Sequence, residues 1–147
     1  MRAKAIPAIF VVTVAMLLAT AAKEESLPQL IARADSARLE DRPQLYTEIA
    51  ERQLHSADQL YTDGKVDEAQ AAVTDVVNYS QKATDAATQT GKKLKNTEIA
   101  VRKMAEKLRD IKRSLAFEDQ ATVQTAINRL ETQRTSLLDR MFGKGAK

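Results

Sequence analysis

Cysteine and tryptophan are both absent from this chain of 147 residues, and histidine occurs once. Without cysteine there is no disulfide, no thiolate metal site, no cysteine nucleophile and no acceptor for the lipid of a bacterial lipoprotein. Aromatic residues make up only 4% of the chain, although apolar residues as a whole reach 44%. A core must therefore be assembled from Ala, Val, Leu, Ile and Met, a palette that suits helices better than sheets. With 4 Gly and 3 Pro there is little material for loops. Long helices with short connections are expected, in one domain large enough to bury a core.

The lone histidine also limits the chemistry. His55 shares a helix face with Glu48 and Glu51, but carboxylate-bundle metal sites need Glu-x-x-His on two helices, and that motif does not occur. A surface histidine in a charged row is the expectation, and no metal. Ser and Thr are plentiful, yet a nucleophile needs a neighbouring base and an oxyanion site, and neither is legible. There is no Gly-rich phosphate loop. The acidic doublets Glu40-Asp41, Asp67-Glu68 and Glu118-Asp119 all fall at expected helix starts, where capping and the helix dipole account for them. The chain reads as a non-enzyme without a cofactor.

What is present begins with a leader. Arg2 and Lys4 form a charged start, residues 6–18 an apolar run, and Ala19-Thr20-Ala21-Ala22 a small-residue cleavage region. That is the three-part pattern of a secretory signal peptide over 1–22, cut after Ala21 or Ala22. The run is short of the roughly 20 residues a spanning helix needs, and Pro7 interrupts it. The expected product is an exported, periplasmic or extracellular protein with no membrane span after cleavage. Residues 23–142 then form a single helical domain, and 143–147 a disordered basic tail.

Helical spacing predicts helices over about 27–40, 42–63, 65–90, 93–115 and 119–142. Ser26 and Asp41 are N-cap candidates, each followed by a proline in the first turn (Pro28, Pro43). From Val66 to Leu115 one seam alternates steps of three and four through Val73, Ser80, Ala87, Leu94, Val101, Leu108 and Leu115, a heptad pattern with a weak middle. Two architectures fit. One is an up-down bundle of four long helices plus a short N-terminal helix, broken at Gly91. The other is one continuous helix over about 65–115, spanning roughly 75 Å, with flanking helices packed on it. Similar helix lengths favour the bundle. In the last helix, Arg134 falls on the apolar seam, where its stem can lie along apolar surface with the guanidinium in water. Phe117, in the preceding link, is placed to plug the end of the core.

The stretch around Asp63-Gly64 carries the clearest motif. Ala57 and the pair Leu60-Tyr61 close one helix, Gly64 sits in the turn, and Val66, Glu68 and Ala69 open the next, as ADQLYTDGKVDEA. This hairpin resembles one unit of a tetratricopeptide repeat. The likeness covers about residues 50–77. Gln53 stands where an early aromatic belongs, no proline closes the second helix near Gln81, and no second copy follows at repeat spacing. The resemblance implies a helical hairpin used for binding other proteins.

Charge is distributed unevenly. Residues 23–90 carry 7 basic and 13 acidic side chains, and residues 91–147 carry 14 basic and 7 acidic. The densest stretch begins at Lys92 and Lys93 and continues through Lys95, Arg102, Lys103, Lys107, Arg109, Lys112 and Arg113. These residues either pair with the acidic half inside the bundle or form an anion-binding face. Export and the lack of stacking aromatics argue against nucleic acid. The lack of Trp or Phe on an amphipathic helix there argues against a membrane surface. The sequence thus points to an exported protein-interaction or scaffolding module with an unidentified protein partner. The alternative is a polyanion-binding protein using helix 92–113, and self-association through the heptad seam is a further option.

Overall fold

A computed structural model describes residues 24–143. The expected signal peptide and the last four residues of the expected tail lie outside them. The described chain is an all-α bundle of a short helix and four long ones: α1 (Leu27–Ser36), α2 (Arg42–Thr62), α3 (Val66–Thr90), α4 (Leu94–Ser114) and α5 (Gln120–Phe142), with a single 3-10 turn at Phe117–Asp119.

Each boundary has a local cause. Ser26 caps α1 in a reciprocal box with Gln29, satisfying two backbone donors that the first turn leaves free. The helix stops at Ser36, short of the expected 40. Arg42 explains the early stop: its Nε donates to the Ala37 carbonyl at 2.9 Å and its Nη2 to the Asp35 carbonyl at 3.1 Å, supplying partners for carbonyls that the helix end leaves open. Asp41 makes no side-chain cap bond, so only Pro43 acts as the α2 start signal expected there. Gly64 adopts a left-handed φ of 74°, and the Lys65 N–H reaches back to the Leu60 carbonyl at 2.9 Å, closing α2 as a glycine C-cap does.

Gly91 takes φ 69° and ends α3, and Lys93 takes φ 60° immediately before α4. The continuous-helix alternative is thereby excluded. The seam that keeps step through this junction is real on both sides of it: Val73, Val76, Ala83, Ala87, Val101, Met104, Leu108 and Ile111 are all buried.

The long helices form two hairpins, α2–α3 and α4–α5, stacked so that like lies beside like. Gln133 of α5 donates to the Val77 carbonyl of α3, and Arg140 to that of Thr88, so α3 and α5 run in the same direction. Lys107 of α4 meets Asp58 of α2 at 2.7 Å, and Lys93 lies by Gln44 and Thr47, so α2 and α4 also run together. On the other flank of the first hairpin, α1 packs through Leu30 and Ala34 against Tyr46, Ile49 and Ala83. The main core joins both hairpins through Leu54, Val76, Leu108, Leu130 and Leu137. Each fully buried leucine of that set contributes about 1.5–3 kcal/mol by leaving water.

Phe117 does not plug this core. It is 88% exposed, carried outward in the 3-10 turn, while Val123 and Ile127 of α5 are buried in the main core.

Candidate interaction surfaces

The seven cations singled out on α4 are placed along its outer faces, and five of them already have partners. Arg109 meets Glu131 at 2.6 Å and Lys107 meets Asp58 at 2.7 Å. Lys112 donates to the Gln124 amide oxygen at 2.7 Å. Arg113 pairs with Asp110 on its own helix, and Arg102 lies 3.5 Å from Glu98 and 3.8 Å from Glu106. Lys95, Lys103 and Lys112 lie outside ion-pair range of any described carboxylate, and of these only Lys112 has a polar side-chain partner. Lys103 still acts on its surroundings. Burial and the neighbouring Glu48 push the Glu51 carboxyl above its ordinary value, and Lys103 works against them.

Arg134 departs from its expected role. Its Nε donates to Glu98 Oε1 at 2.8 Å, and its Nη1 lies 3.8 Å from Glu131. This hydrogen bond, with the charges of Glu98 and Glu131, raises the guanidinium pKa further. Glu98, only 8% exposed, is a carboxylate that sequence reasoning missed. Its i,i+4 spacing from Arg102 was visible, but its partner lies 36 residues away. Glu98, Arg134, Glu131 and Arg109 thus form an alternating ladder along the flank of the second hairpin that faces away from the first. The half-exposed pairs, such as Arg109–Glu131, contribute roughly 0–1 kcal/mol each, while Arg134 also neutralises the buried Glu98 carboxylate. Their greater effect is to give that flank a polar, closed surface.

A different surface lies where α3 and α5 run side by side. A shallow hollow of about 290 Å³ opens between Val73, Val77, Asn78, Thr125 and Ala126. Further along the same two helices, a wider open groove of about 1060 Å³ is bordered by Gln81, Asp85, Thr88, Ser136 and Phe142. Phe142 is 80% exposed. Beneath the groove, Gln133 bridges to α3 with its amide N–H, while its Oε1 and the Thr84 hydroxyl have no partner among the described residues. Neither Gln133 nor Thr84 was singled out from sequence, since polar residues at seam positions give no sign of which helix they will meet.

Asp63 and Gly64 lie exposed at the tip of the first hairpin, away from both surfaces. His55 is exposed on α2, and among the described residues no three His, Asp or Glu side chains converge on a metal position. Tyr46 and Tyr79 sit with α1. Tyr46 donates to Asp35 at 2.7 Å, and burial followed by that bond pushes its pKa up to about 12. Lys82 Nζ lies over the rings of Tyr46 and Tyr79, at 5.4 and 5.2 Å from their centroids.

Compared with models of known families, with curated proteins and with solved structures, the chain matches none.

Proposed function

We propose that this protein is an exported, non-catalytic interaction or scaffolding module that receives a protein segment along the α3–α5 face. The observation that carries this reading is the open surface between two parallel helices, lined by Asn, Gln, Ser and Thr with Arg129, Asp85, Asp139 and Arg140 among them, over Val and Ala at one end and running to Phe142 at the other. Such a lining offers hydrogen bonds to a partner backbone and apolar contact to alternate side chains. Two of the other flanks are already covered: α1 closes one and the ion-pair ladder another. The likeness of residues 50–77 to a tetratricopeptide unit supports the same class of role. Export rests on the leader pattern at 1–22.

The test is a crosslinked pull-down of the tagged protein from its own envelope fraction, beside a variant carrying Asn78→Arg and Thr125→Arg to fill the groove. Both positions are exposed, so the variant keeps its helical circular dichroism. The reading expects one protein captured by the wild type and lost by the variant. Equal capture by both would remove the groove from the account. An intact Met1 start in the cytosolic fraction, read by mass spectrometry, would remove export.

A further inference from the structure

The fold creates a basic surface that differs from the one legible along helix 92–113. Three short connections bring the start of α2, the end of α3, the start of α4 and the end of α5 to one end of the bundle. Lys92, Lys93 and Lys95 are exposed there, and none lies within ion-pair range of a described carboxylate. Arg140 joins them from α5: its Nε donates to the Thr88 carbonyl at 3.1 Å, and its guanidinium lies against Gly91. Phe142, two residues on, is 80% exposed. The acidic groups near this end are Asp139 and Asp85, which border the groove with Arg140 and Phe142, and Asp41, Asp35 and Glu40; Tyr46 donates to Asp35, and Arg38 takes up Glu40.

The opposite end makes an instructive contrast. Asp67 and Glu68 sit in the first turn of α3, and Glu118 and Asp119 in the 3-10 turn that leads into α5. Negative charge there is matched to the positive ends of those helices. Lys92, Lys93 and Lys95 stand at the positive end of α4, where like charge is disfavoured; the negative end of α3 beside them offsets part of this, but no described carboxylate lies within ion-pair range. An external anion would relieve that mismatch. A soluble polyanion would satisfy the lysines but give the Phe142 ring no apolar phase to enter. A bilayer surface offers both.

We propose that this end of the bundle docks on an anionic lipid bilayer, with Lys92, Lys93, Lys95 and Arg140 at the headgroup phosphates and the Phe142 ring at the acyl boundary. The contact is peripheral. No helix among the described residues is long and apolar enough to cross a membrane. The aromatic that the basic stretch lacks in sequence is supplied from the far end of the chain by the parallel course of α3 and α5. The inference does not depend on a protein partner in the groove.

The experiment is co-sedimentation of the full chain with vesicles of phosphatidylcholine alone or with about a third phosphatidylglycerol, at low and high salt. The readout is the preference for anionic over neutral vesicles. The leader, with Arg2 and Lys4, is the same in wild type and in every variant, so it drops out of the comparison between them. Wild type should prefer anionic vesicles at low salt and lose that preference at high salt. The triple variant Lys92→Gln, Lys93→Gln, Lys95→Gln should lower the preference roughly a hundredfold. Phe142→Ser should lower binding to anionic vesicles about fivefold, while Phe117→Ser and Lys65→Gln, at the other end, leave it as in wild type. Circular dichroism confirms folding, since every substituted side chain is exposed. The proposal is overturned by equal binding to both vesicle types, by an unchanged preference in the triple variant, or by Phe117→Ser weakening binding as much as Phe142→Ser. It is equally overturned if sedimentation velocity without lipid shows salt-sensitive self-association abolished by the same lysine changes, which would assign this end to a second copy of the chain.

Discussion

The two hairpins solve the same packing problem with different materials. In α2–α3 the buried residues are dominated by alanine: Ala50, Ala57, Ala69, Ala72, Ala83, Ala86 and Ala87. In α4–α5 the larger side chains Met104, Leu108, Ile111, Ile127, Leu130 and Leu137 carry the interior. The first hairpin has neighbours on both flanks, α1 on one side and the second hairpin on the other, so its helices must be approached closely from more than one direction. Small side chains permit that. The second hairpin has a neighbour on one flank only and turns the Glu98–Arg134–Glu131–Arg109 ladder to water on the other. Stacked helical hairpins need such a polar outer face where the stack ends.

If the contrast is sound, core changes of opposite kind should hurt each hairpin. Leu108→Ala removes a fully buried side chain from the second hairpin and should cost about 3–5 kcal/mol. Ala57→Leu adds atoms to the crowded first hairpin and should cost about 1–3 kcal/mol. Urea unfolding reads both, and an Ala57→Leu variant as stable as wild type would show that the alanines are not there for close approach.

The next test concerns the flank that α1 covers. An unfolded tyrosine loses its proton near pH 10, whereas Tyr46 holds it until about 12. The folded state therefore keeps a proton that the unfolded state has already released. The stability tied to Tyr46 is complete below pH 10 and declines from there to about pH 12, by up to about 2 kcal/mol. Tyr46→Phe should flatten that alkaline decline, measured by thermal melts from pH 8 upward. An unchanged slope would detach Tyr46 from it.

The turns supply a smaller effect. Lys93 holds a left-handed φ without being glycine, so Lys93→Gly should stabilise by about 1 kcal/mol. Gly64→Ala in the first hairpin should destabilise by about the same amount, although no atom lies within 4 Å of the added methyl. Smallest of all is the seam between the two charge halves. Removing the cation with Lys103→Gln should raise the Glu51 pKa further, followed by carboxyl NMR titration. Ionised Glu51 is disfavoured in the folded state, so its contribution is complete below the ordinary carboxylate value and is lost as pH rises through the raised one. The stability change should stay under about 0.5 kcal/mol.

The helices were legible because spacing, the Ser26 cap and the glycines at 64 and 91 act locally. Gly91 alone did not decide between a bend and a continuous helix, since one mid-helix glycine costs only about 1 kcal/mol. The left-handed angles at both Gly91 and Lys93 settle it, and nothing in Lys93 announces a positive φ. The basic stretch was legible as a stretch, but not the division within it. Which cations are neutralised depends on Asp58, brought alongside by the stacking of the hairpins, and on Glu131, brought by α5 folding back along α4. Phe142 and Lys92 are 50 residues apart in sequence, and only the parallel run of α3 and α5 makes them neighbours.

The turn at residues 91–93 also decides which molecule completes the core. Straightened, it would release the left-handed angles at Gly91 and Lys93 and carry α3 into α4 as one rod of roughly 75 Å, with the apolar seam still in step. From the far end of such a rod the second hairpin could no longer reach the first hairpin of its own chain. It would find the same surface on another chain, and two molecules would exchange halves to build two identical cores. Three residues thus hold the protein to a self-contained assembly, and the seam running through them keeps the exchanged form within reach.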